Sequence, residues 1–467
     1  MVIVGVSSDR GKWSNIMFRR LLDGPYDGEL IAVNPARNEI EGQPCYASLR
    51  DVPGEIDYVQ LLVAREHTVD AVQDCVARKV LVIHVLSSGF GEVSGEGPGF
   101  QSALVEALCG GASALIGPNS LGLYSAGHGL CFSDGCHFES GPVTFISQSG
   151  ALCTDVLAQG QTRGVKFSKV LSVGNCADLD WPDYVRYCRH DPETGIAVFY
   201  IESVSDGRAL FEELKQLARD NPVLVLKGGK TSAGARAVVS HTGRMTGEHE
   251  VWQAMMRQAG VIELTGLTDL LVTLQAWRSA ELRPHNRSDG GVMVIGCGGG
   301  ISVLISDALV AANLSVAKLG PGTLSALKQL EPAAKVLGGI DNPIEMPVDR
   351  LFSDPTKLAR LIKTSATDPE VGMVLVHLNL IAFSDLFGAD NLAHLEAICT
   401  AIRDVAGCIA KPLTVVLRNG DCGQTTEKLY HSAVTSLGSQ GGLDIFRDLE
   451  PALAWLGRVR TFTSRQS

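Results

Sequence analysis

The sequence predicts an α/β protein of three successive units, and three observations carry that reading. At 467 residues the chain is too long for one ordinary domain. Short apolar runs alternate with amphipathic stretches along its length, the pattern of repeated βαβ units and a mostly parallel sheet covered by helices. Twice, in "FISQSGAL" and "VIGCGGGIS", an apolar run passes through small residues straight into a helical pattern.

In order, "VIVGV" reads as a strand, "NIMFRRLLDG" as a helix stopped by glycine, and "ELIAVNP" as the next strand. "DYVQLLVA", "TVDAVQDCVARK", "VLVIHVLSSGF" and "GPGFQSALVEALCGG" continue as strand, helix, strand and helix, and "SALIGPN" closes the series as a strand. A second series runs from "GPVTFISQSGALCTDVLAQGQTRG" through "KFSKVLSVGN", "YVRYCRHDPETG", "IAVFYIESV", "GRALFEELKQLARD" and "PVLVLKGGK". The stretch "TSAGARA" reads as a loop, and "EVWQAMMRQAGVIEL" and "LTDLLVTLQAW" end the unit. The polar, breaker-rich "ELRPHNRSDGG" reads as a linker. Beyond it, "GVMVIGCGGGISVLISDALVAANL", "GMVLVHLNL" and "PLTVVLRN" supply a third series. The units are expected over 1–140, 141–282 and 288–467, each of Rossmann or flavodoxin type.

Composition excludes several classes. Hydrophobic content of 45% with 19% charged residues describes a globular protein with substantial cores. A net charge of −11 with no basic cluster argues against a nucleic-acid surface. No apolar run approaches the roughly 20 residues of a membrane span, and "MVIVGVSSDR" is not a signal peptide. Twelve cysteines without a Cys-x-x-Cys pair are expected to be reduced thiols in a cytoplasmic protein.

The residues that bear chemistry centre on "VVSHTGRMTG". His241 there has three readings: a structural residue, a metal ligand or a catalytic group. No Cys, Asp or second His stands at ligand spacing, since His249 is eight residues on, so no metal is expected. Ser240, Thr242 and Gly243 would let the backbone approach an anion closely. A phosphorylated imidazole would need helix dipoles and backbone donors, which the starts at Gln148, Ser149 and Gly150 and at Gly299 and Gly300 offer. An acidic partner would orient the ring, and Glu202 is the candidate because strand ends face the site in open α/β sheets. At the N-terminus, "GVSSDRGKWS" is not G-x-G-x-x-G, and Asn34 stands where a nicotinamide enzyme would carry an acidic residue.

Taken together these segments resemble the α subunit of the NDP-forming acyl-CoA synthetases, relatives of succinyl-CoA synthetase. The resemblance spans essentially the whole chain and keeps the family's order. "GVSSDRGKWSN", "LIAVNP", "LSSGFGEVSGEG" and "IGPNSLGLY" are similar to its CoA-binding loops. "FISQSGAL", "SVGNCADLDWPDYVRY", "DPETGIAVFYIESVSDGR" and "GARAVVSHTG" match its second domain, and "GGGISVLISDALVAANL" with "LGGIDNPIE" resembles its third. The family pattern is departed from in "CGGGIS", which is not Asn-Ala-Gly-Gly, and at Glu345, where Asp is usual.

The resemblance implies a CoA-binding Rossmann-like domain followed by two ligase-CoA-type domains. It implies that acid, CoA and ATP or GTP are interconverted with acyl-CoA, phosphate and the nucleoside diphosphate. His241 would attack an acyl phosphate and carry the phosphoryl group, with Glu202 orienting it. By motif position Gly5, Ser7, Lys12, Asn34, Pro35, Val63, Ser87 and Gly89 would hold CoA, and Asn119 would lie near its thiol end. Gln148, Ser149, Gly150, Gly299 and Gly300 would hold phosphate. No nucleotide-grasp module is recognisable, so an ATP-grasp β subunit carrying most of the Mg²⁺ site is implied, in a hetero-oligomer such as α2β2 acting on a small carboxylic acid. Two competing functions on the same fold are a CoA-binding regulatory protein and an ATP-independent acyl or carbamoyl phosphate transferase.

Overall fold

A computed structural model of the chain describes residues 1–242, 248–281, 290–330, 341–347, 349, 354–387, 391–438 and 443–465. The chain divides into two compact units, Met1–Leu271 and Val272–Ser467. Among the described residues there are three largely parallel sheets, which bears out the α/β class.

The first sheet is built from β1 (Val2–Val4), β2 (Ile31–Val33), β3 (Glu39–Ile40), β4 (Gln43–Tyr46), β5 (Tyr58–Leu61), β6 (Val82–Val85) and β7 (Ala114–Ile116). Its order is β3-β4-β2-β1-β5-β6-β7, parallel throughout except for the β3–β4 hairpin. Apart from that hairpin edge the order is 3-2-1-4-5-6, with the chain reversing direction between β1 and β5. Helices α1 (Trp13–Asp23), α2 (Arg65–Ala77) and α3 (Gly97–Leu108) cover it. Val59, Leu61, Ile83, Val85 and Leu115 are fully buried, as strands covered on both faces must be.

The second sheet takes β8 (Leu123–Ser125), β9 (Val143–Ser147), β10 (Phe167–Ser172), β11 (Ile196–Ile201), β12 (Val223–Lys227) and β13 (Ile262–Leu264). The order is β13-β12-β11-β9-β10-β8, and only β8 is antiparallel, pairing with β10. The five parallel strands follow the 2-1-3-4-5 order of flavodoxin, with the reversal between β9 and β11. The edge strand β8 was not anticipated from the sequence. It is three residues long and lies in the stretch after "SALIGPN", with no period of its own to announce it.

Five helices of this sheet are α4 (Gly150–Thr162), α5 (Trp181–His190), α6 (Gly207–Asp220), α7 (Ser232–Thr242) and α8 (His249–Ala259). α6 shows how the sequence sets one of them. Leu210, Leu214 and Leu217 recur at helical spacing and are fully buried, and the Asp206 carboxylate caps the N–H groups of Arg208 and Ala209 at 3.0 and 2.9 Å. α5 starts with a reciprocal capping box between Asp180 and Asp183. Trp181, fully buried, packs edge-on to Phe199 and Tyr184.

In the second unit, β14 (Gly291–Gly296), β15 (Ile344–Glu345), β16 (Val371–Asn379), β17 (Leu413–Arg418) and β18 (Leu443–Phe446) form an all-parallel sheet in the order β15-β14-β16-β17-β18. This again is 2-1-3-4-5; α9 (Leu267–Glu281) follows β13, and α10 (Gly299–Ala311) follows β14 directly.

Two expectations are corrected. "TSAGARA" was read as a loop that left His241 in an irregular segment, but Ser232–Thr242 is helical and His241 is its next-to-last residue. Alanine is the strongest helix former, while the small residues give no apolar stripe to reveal the period. The thiols are not all reduced: Cys131 and Cys136 are disulfide-bonded, and the other ten are free. That pair sits between β8 and β9, where the chain's path rather than a Cys-x-x-Cys motif brings the sulfurs together. The proposed linker falls mostly on 282–289, outside the described residues. Among the described residues no helix is long and apolar enough to cross a membrane.

Candidate functional site

The carboxyl ends of the first two sheets, both in Met1–Leu271, carry most of the residues singled out from the sequence. On the first sheet Gly5 ends β1 with φ of +94°, and a Cβ there would lie 2.6 Å from the Leu62 carbonyl oxygen. Glycine is therefore required where β1 turns against the strand end of β5. Ser7 follows, its N–H bonded to Ser14 Oγ at 3.1 Å and its own Oγ accepting from Asp9 at 3.0 Å. Lys12 is exposed at the start of α1. Asn34 ties this loop to the next, since its Nδ2 donates to the Val6 carbonyl at 2.7 Å, and Pro35 beside it is exposed.

Across the reversal point, the Val63 carbonyl accepts from Ser87 Oγ, and Gly89, at φ +101°, donates its N–H to Glu92 Oε1 at 2.5 Å. Asn119 sits at φ +59° with its N–H on the Ser87 carbonyl at 2.8 Å. The candidate CoA residues thus line the rim where open α/β sheets bind ligands. Arg10, Lys12, Arg37 and Arg65 sit among these loops, Arg10 paired with Glu41 at 2.6 Å and Arg65 with Glu66 at 3.2 Å.

On the second sheet, Gln148 and Glu202 end β9 and β11, the neighbouring strands at the point of reversal, and both are buried. Gln148 Oε1 accepts the N–H of Glu202 at 2.6 Å and that of Ser203 at 3.1 Å. Its Nε2 faces Ser203 Oγ at 3.4 Å and Cys176 Sγ at 3.9 Å. One amide side chain therefore fixes the backbone from which the Glu202 carboxylate projects. Gly228 leaves room for that carboxylate, because a Cβ there would lie 3.2 Å from Glu202 Cγ and 2.8 Å from the Tyr200 hydroxyl. Burial, and then the Glu202 carboxylate beside it, push the Tyr200 hydroxyl well above the usual phenol range.

After Gln148, Ser149 caps α4 by accepting from the Leu152 N–H at 3.3 Å. Gly150 lets the helix start approach the loop after Asn119, since a Cβ would lie 2.8 Å from Leu121 Cβ. This presents a helix N-terminus between the two sheets' loops.

Three contributors escaped sequence reasoning. Asn175, buried after β10, donates to Glu92 at 2.6 Å and to Gln101 at 3.0 Å, and its Oδ1 accepts from Asn119 at 3.3 Å. Cys176 next to it faces Gln148. The third is Lys227, which ends β12 and is 6% exposed. Its ammonium donates to the carbonyls of Glu202, at 2.7 Å, and of Gly228, and lies 5.4 Å above the Trp252 ring. A lysine closing the apolar run "PVLVLK" was the available signal for it. Asn175 and Cys176 carried no signal beyond a polar turn.

Burial lowers Lys227 from 10.5 to about 8. Between those values the unfolded chain holds a proton that the folded chain does not, so stability contributed by this group rises with pH over that window. Urea titrations from pH 8 to 10.5 are expected to show wild-type stability gaining on Lys227→Met across the window. A gap independent of pH would refute the burial of a charged ammonium here.

The structure brings Gln148, Ser149, Gly150, Glu202 and Asn119 together, and places Ser240, His241 and Thr242 by backbone at the end of α7. The side chains of those three, and all of Gly243, lie outside the described residues. Gly299 and Gly300 begin α10 in the second unit after Gly298 at φ +102°. There a Cβ on Gly299 would lie 2.9 Å from Glu345 Oε2, so a carboxylate already stands beside that helix start. Arg418, at the end of β17, reaches the Cys297 carbonyl at 3.4 Å. Among the described residues no group of three His, Cys, Asp or Glu could hold a metal ion.

Comparison with known proteins adds independent findings. A CoA-binding domain family matches residues 1–126, and the succinyl-CoA ligase-like flavodoxin domain matches residues 140–277. The chain is 33% identical over 402 residues to an ADP-forming acetate–CoA ligase of Archaeoglobus fulgidus, covering 85% of this chain and 56% of that protein. It is 28% identical over 429 residues to the α subunit of an ADP-forming acetate–CoA ligase of Pyrococcus furiosus, covering 92% and 90%. An acetyl-coenzyme A synthetase of Ca. Korarchaeum cryptofilum, solved with phosphate and ADP, shares the fold at a TM-score of 0.78 and 24% identity, over 100% of this chain and 97% of that one.

Proposed function

The chain belongs to the family of NDP-forming acyl-CoA synthetase α subunits, and from that premise we propose that it forms and carries the phosphoryl group of an acid–thiol ligase. Phosphate attacks the acyl carbon of an acyl-CoA, the C–S bond breaks, and the CoA thiol leaves as acyl phosphate forms. His241 then attacks phosphorus, releasing the carboxylate and leaving a phosphohistidine. Transfer to a nucleoside diphosphate regenerates the imidazole, and every step is reversible. Covalent catalysis replaces one difficult transfer by two easier ones.

The observation that carries the proposal is one hydrogen-bonded route inside Met1–Leu271. It runs from Glu92 beside Gly89 to Asn175, along the chain to Cys176, and on through Gln148 to the backbone N–H of Glu202, from which the carboxylate projects. It connects the CoA-side loops to a preset carboxylate. Gly5, Ser7, Val63, Ser87 and Gly89 would hold CoA, with Lys12 and its neighbouring cations toward the phosphates. Gln148, Ser149 and Gly150 would face the phosphoryl group with helix N–H donors. Glu202 would accept the imidazole N–H and fix its tautomer. Nucleotide and Mg²⁺ would come mainly through an ATP-grasp β subunit in a hetero-oligomer such as α2β2, and the acid would be a small carboxylate.

The test is incubation of the chain with radioactive phosphate and a panel of acyl-CoAs. Acid-labile, base-stable label that depends on one acyl-CoA is the expected result. No label with any acyl-CoA, either alone or with a β-type partner and ATP, would overturn the proposal in favour of a CoA-binding regulatory protein.

A further inference from the structure

The backbone of Glu202 is held from the strands on both sides, and that alone leaves its carboxylate undirected. Gln148 Oε1, after β9, accepts the Glu202 N–H at 2.6 Å, and the Lys227 ammonium, from β12, donates to the Glu202 carbonyl at 2.7 Å. Several side-chain torsions still separate that backbone from the carboxylate oxygens. Fixing them takes a contact on the carboxylate itself.

Tyr200 stands where such a contact is needed. It lies on β11 two residues before Glu202, so both side chains leave the same face of the sheet. Their ends converge over Gly228, the residue after β12. A Cβ on Gly228 would lie 2.8 Å from the Tyr200 hydroxyl oxygen and 3.2 Å from Glu202 Cγ, so the missing methyl group is the notch that both occupy. Across the sheet Tyr200 is paired with Ser147 and Leu226. The Ser147 hydroxyl is taken up by the start of α4, donating to the Ser149 carbonyl at 2.8 Å and accepting the Ser149 N–H at 3.0 Å. The Leu226 side chain offers no acceptor. Burial, and then the Glu202 carboxylate, hold the Tyr200 hydroxyl above the usual phenol range, so it keeps its proton and stays a donor at neutral pH.

We propose that Tyr200 is a positioning residue, whose hydroxyl donates to one oxygen of the Glu202 carboxylate and turns the other toward the His241 imidazole, a role that rests on the reading of Glu202 and His241 given above. In this role Tyr200 touches neither the acyl group nor phosphorus. It acts only through Glu202, by restricting the carboxylate to the orientation that fixes the imidazole.

The test measures acyl-CoA-dependent phosphate labelling by rapid quench in the full chain, with wild type, Tyr200→Phe, Glu202→Ala and the double variant side by side. Tyr200→Phe keeps the ring and its packing, so its thermal midpoint is expected near that of wild type. Its labelling rate at saturation should fall about 10- to 100-fold, the range set by one hydrogen bond to a charged acceptor, with KM for acyl-CoA within about twofold. In the Glu202→Ala background the same substitution should change the rate by less than about twofold, because no carboxylate is left to direct. Gly228→Ala fills the shared notch and should slow labelling at unchanged KM without altering either side chain. A wild-type rate in Tyr200→Phe would overturn the proposal. So would a loss that persists undiminished in the Glu202→Ala background, which is the mark of a packing role. A wild-type chain that takes no label, alone or with a β-type partner and ATP, would overturn the reading of the site and this proposal with it, and that failure is visible before any substitution is made.

Discussion

His241→Ala is expected to abolish acyl-CoA-dependent phosphate labelling and to lower net synthesis of acyl-CoA by at least about 10⁴-fold, because the variant has no atom to carry the phosphoryl group between half-reactions. Glu202→Gln sharpens the prediction. Glutamine keeps the shape and can still accept a hydrogen bond, but it removes the charge that stabilises an imidazolium. Turnover should fall by about 10²- to 10⁴-fold with little change in KM for CoA. Gln148 and Lys227 hold the backbone N–H and carbonyl of Glu202, so the strand end should stay in place in the variant. Rapid-quench measurement of label formation separates the two substitutions: none in the first, slow in the second. Label of wild-type amount and rate in His241→Ala would remove that residue from the mechanism.

Gly174→Ala is expected to have the second-largest effect, for a geometric reason. Gly174 lies at φ +55°, and a Cβ there would stand 2.1 Å from the Pro118 carbonyl oxygen and 2.5 Å from that of Asn119. Both contacts are backbone, so relief requires the loop after β10 to separate from the loop after β7. The Asn175–Asn119 hydrogen bond crosses that same boundary, and the Asn175–Glu92 bond ties the loop after β10 to the loop after β6. Loss of roughly 3–5 kcal/mol is expected from a clash of this kind, or about 10 °C in thermal midpoint for a unit of this size. CoA-dependent labelling should fail before the fold does. Gly207→Ala is the matched control, since a Cβ at the start of α6 meets nothing within 4 Å. A Gly174→Ala protein with wild-type midpoint and labelling would show that the two loops do not need this approach.

Much of the candidate site was legible because its signals are local. A strand running into Ser149–Gly150 declares a helix start by its own residues. Glu202 declares itself by closing an apolar strand, and the loops after β1 and β6 are set by glycine and turn chemistry. Reading "TSAGARA" as a loop went wrong for a local reason as well, since alanine and glycine leave no apolar stripe from which to read a period.

The sequence by itself determined the order of most strands and helices, with β8 and α7 as the exceptions, the parallel α/β class, the helix starts at Gly150 and Gly299, and the family. Each of these rests on residues within one turn or one strand of each other, or on motifs that travel intact. Only the tertiary structure decided which strands became neighbours, and with that where the reversals fall between β1 and β5 and between β9 and β11. It took β8 into the second sheet rather than the first. It brought Gln148 onto the backbone of Glu202, 54 positions away, and Asn175 onto Glu92, 83 positions away. It also set the Lys227 ammonium over the Trp252 ring. Those meetings depend on burial and strand pairing across the whole of Met1–Leu271, where each side chain's partner is chosen by the packed sheet and leaves no trace in the residues beside it.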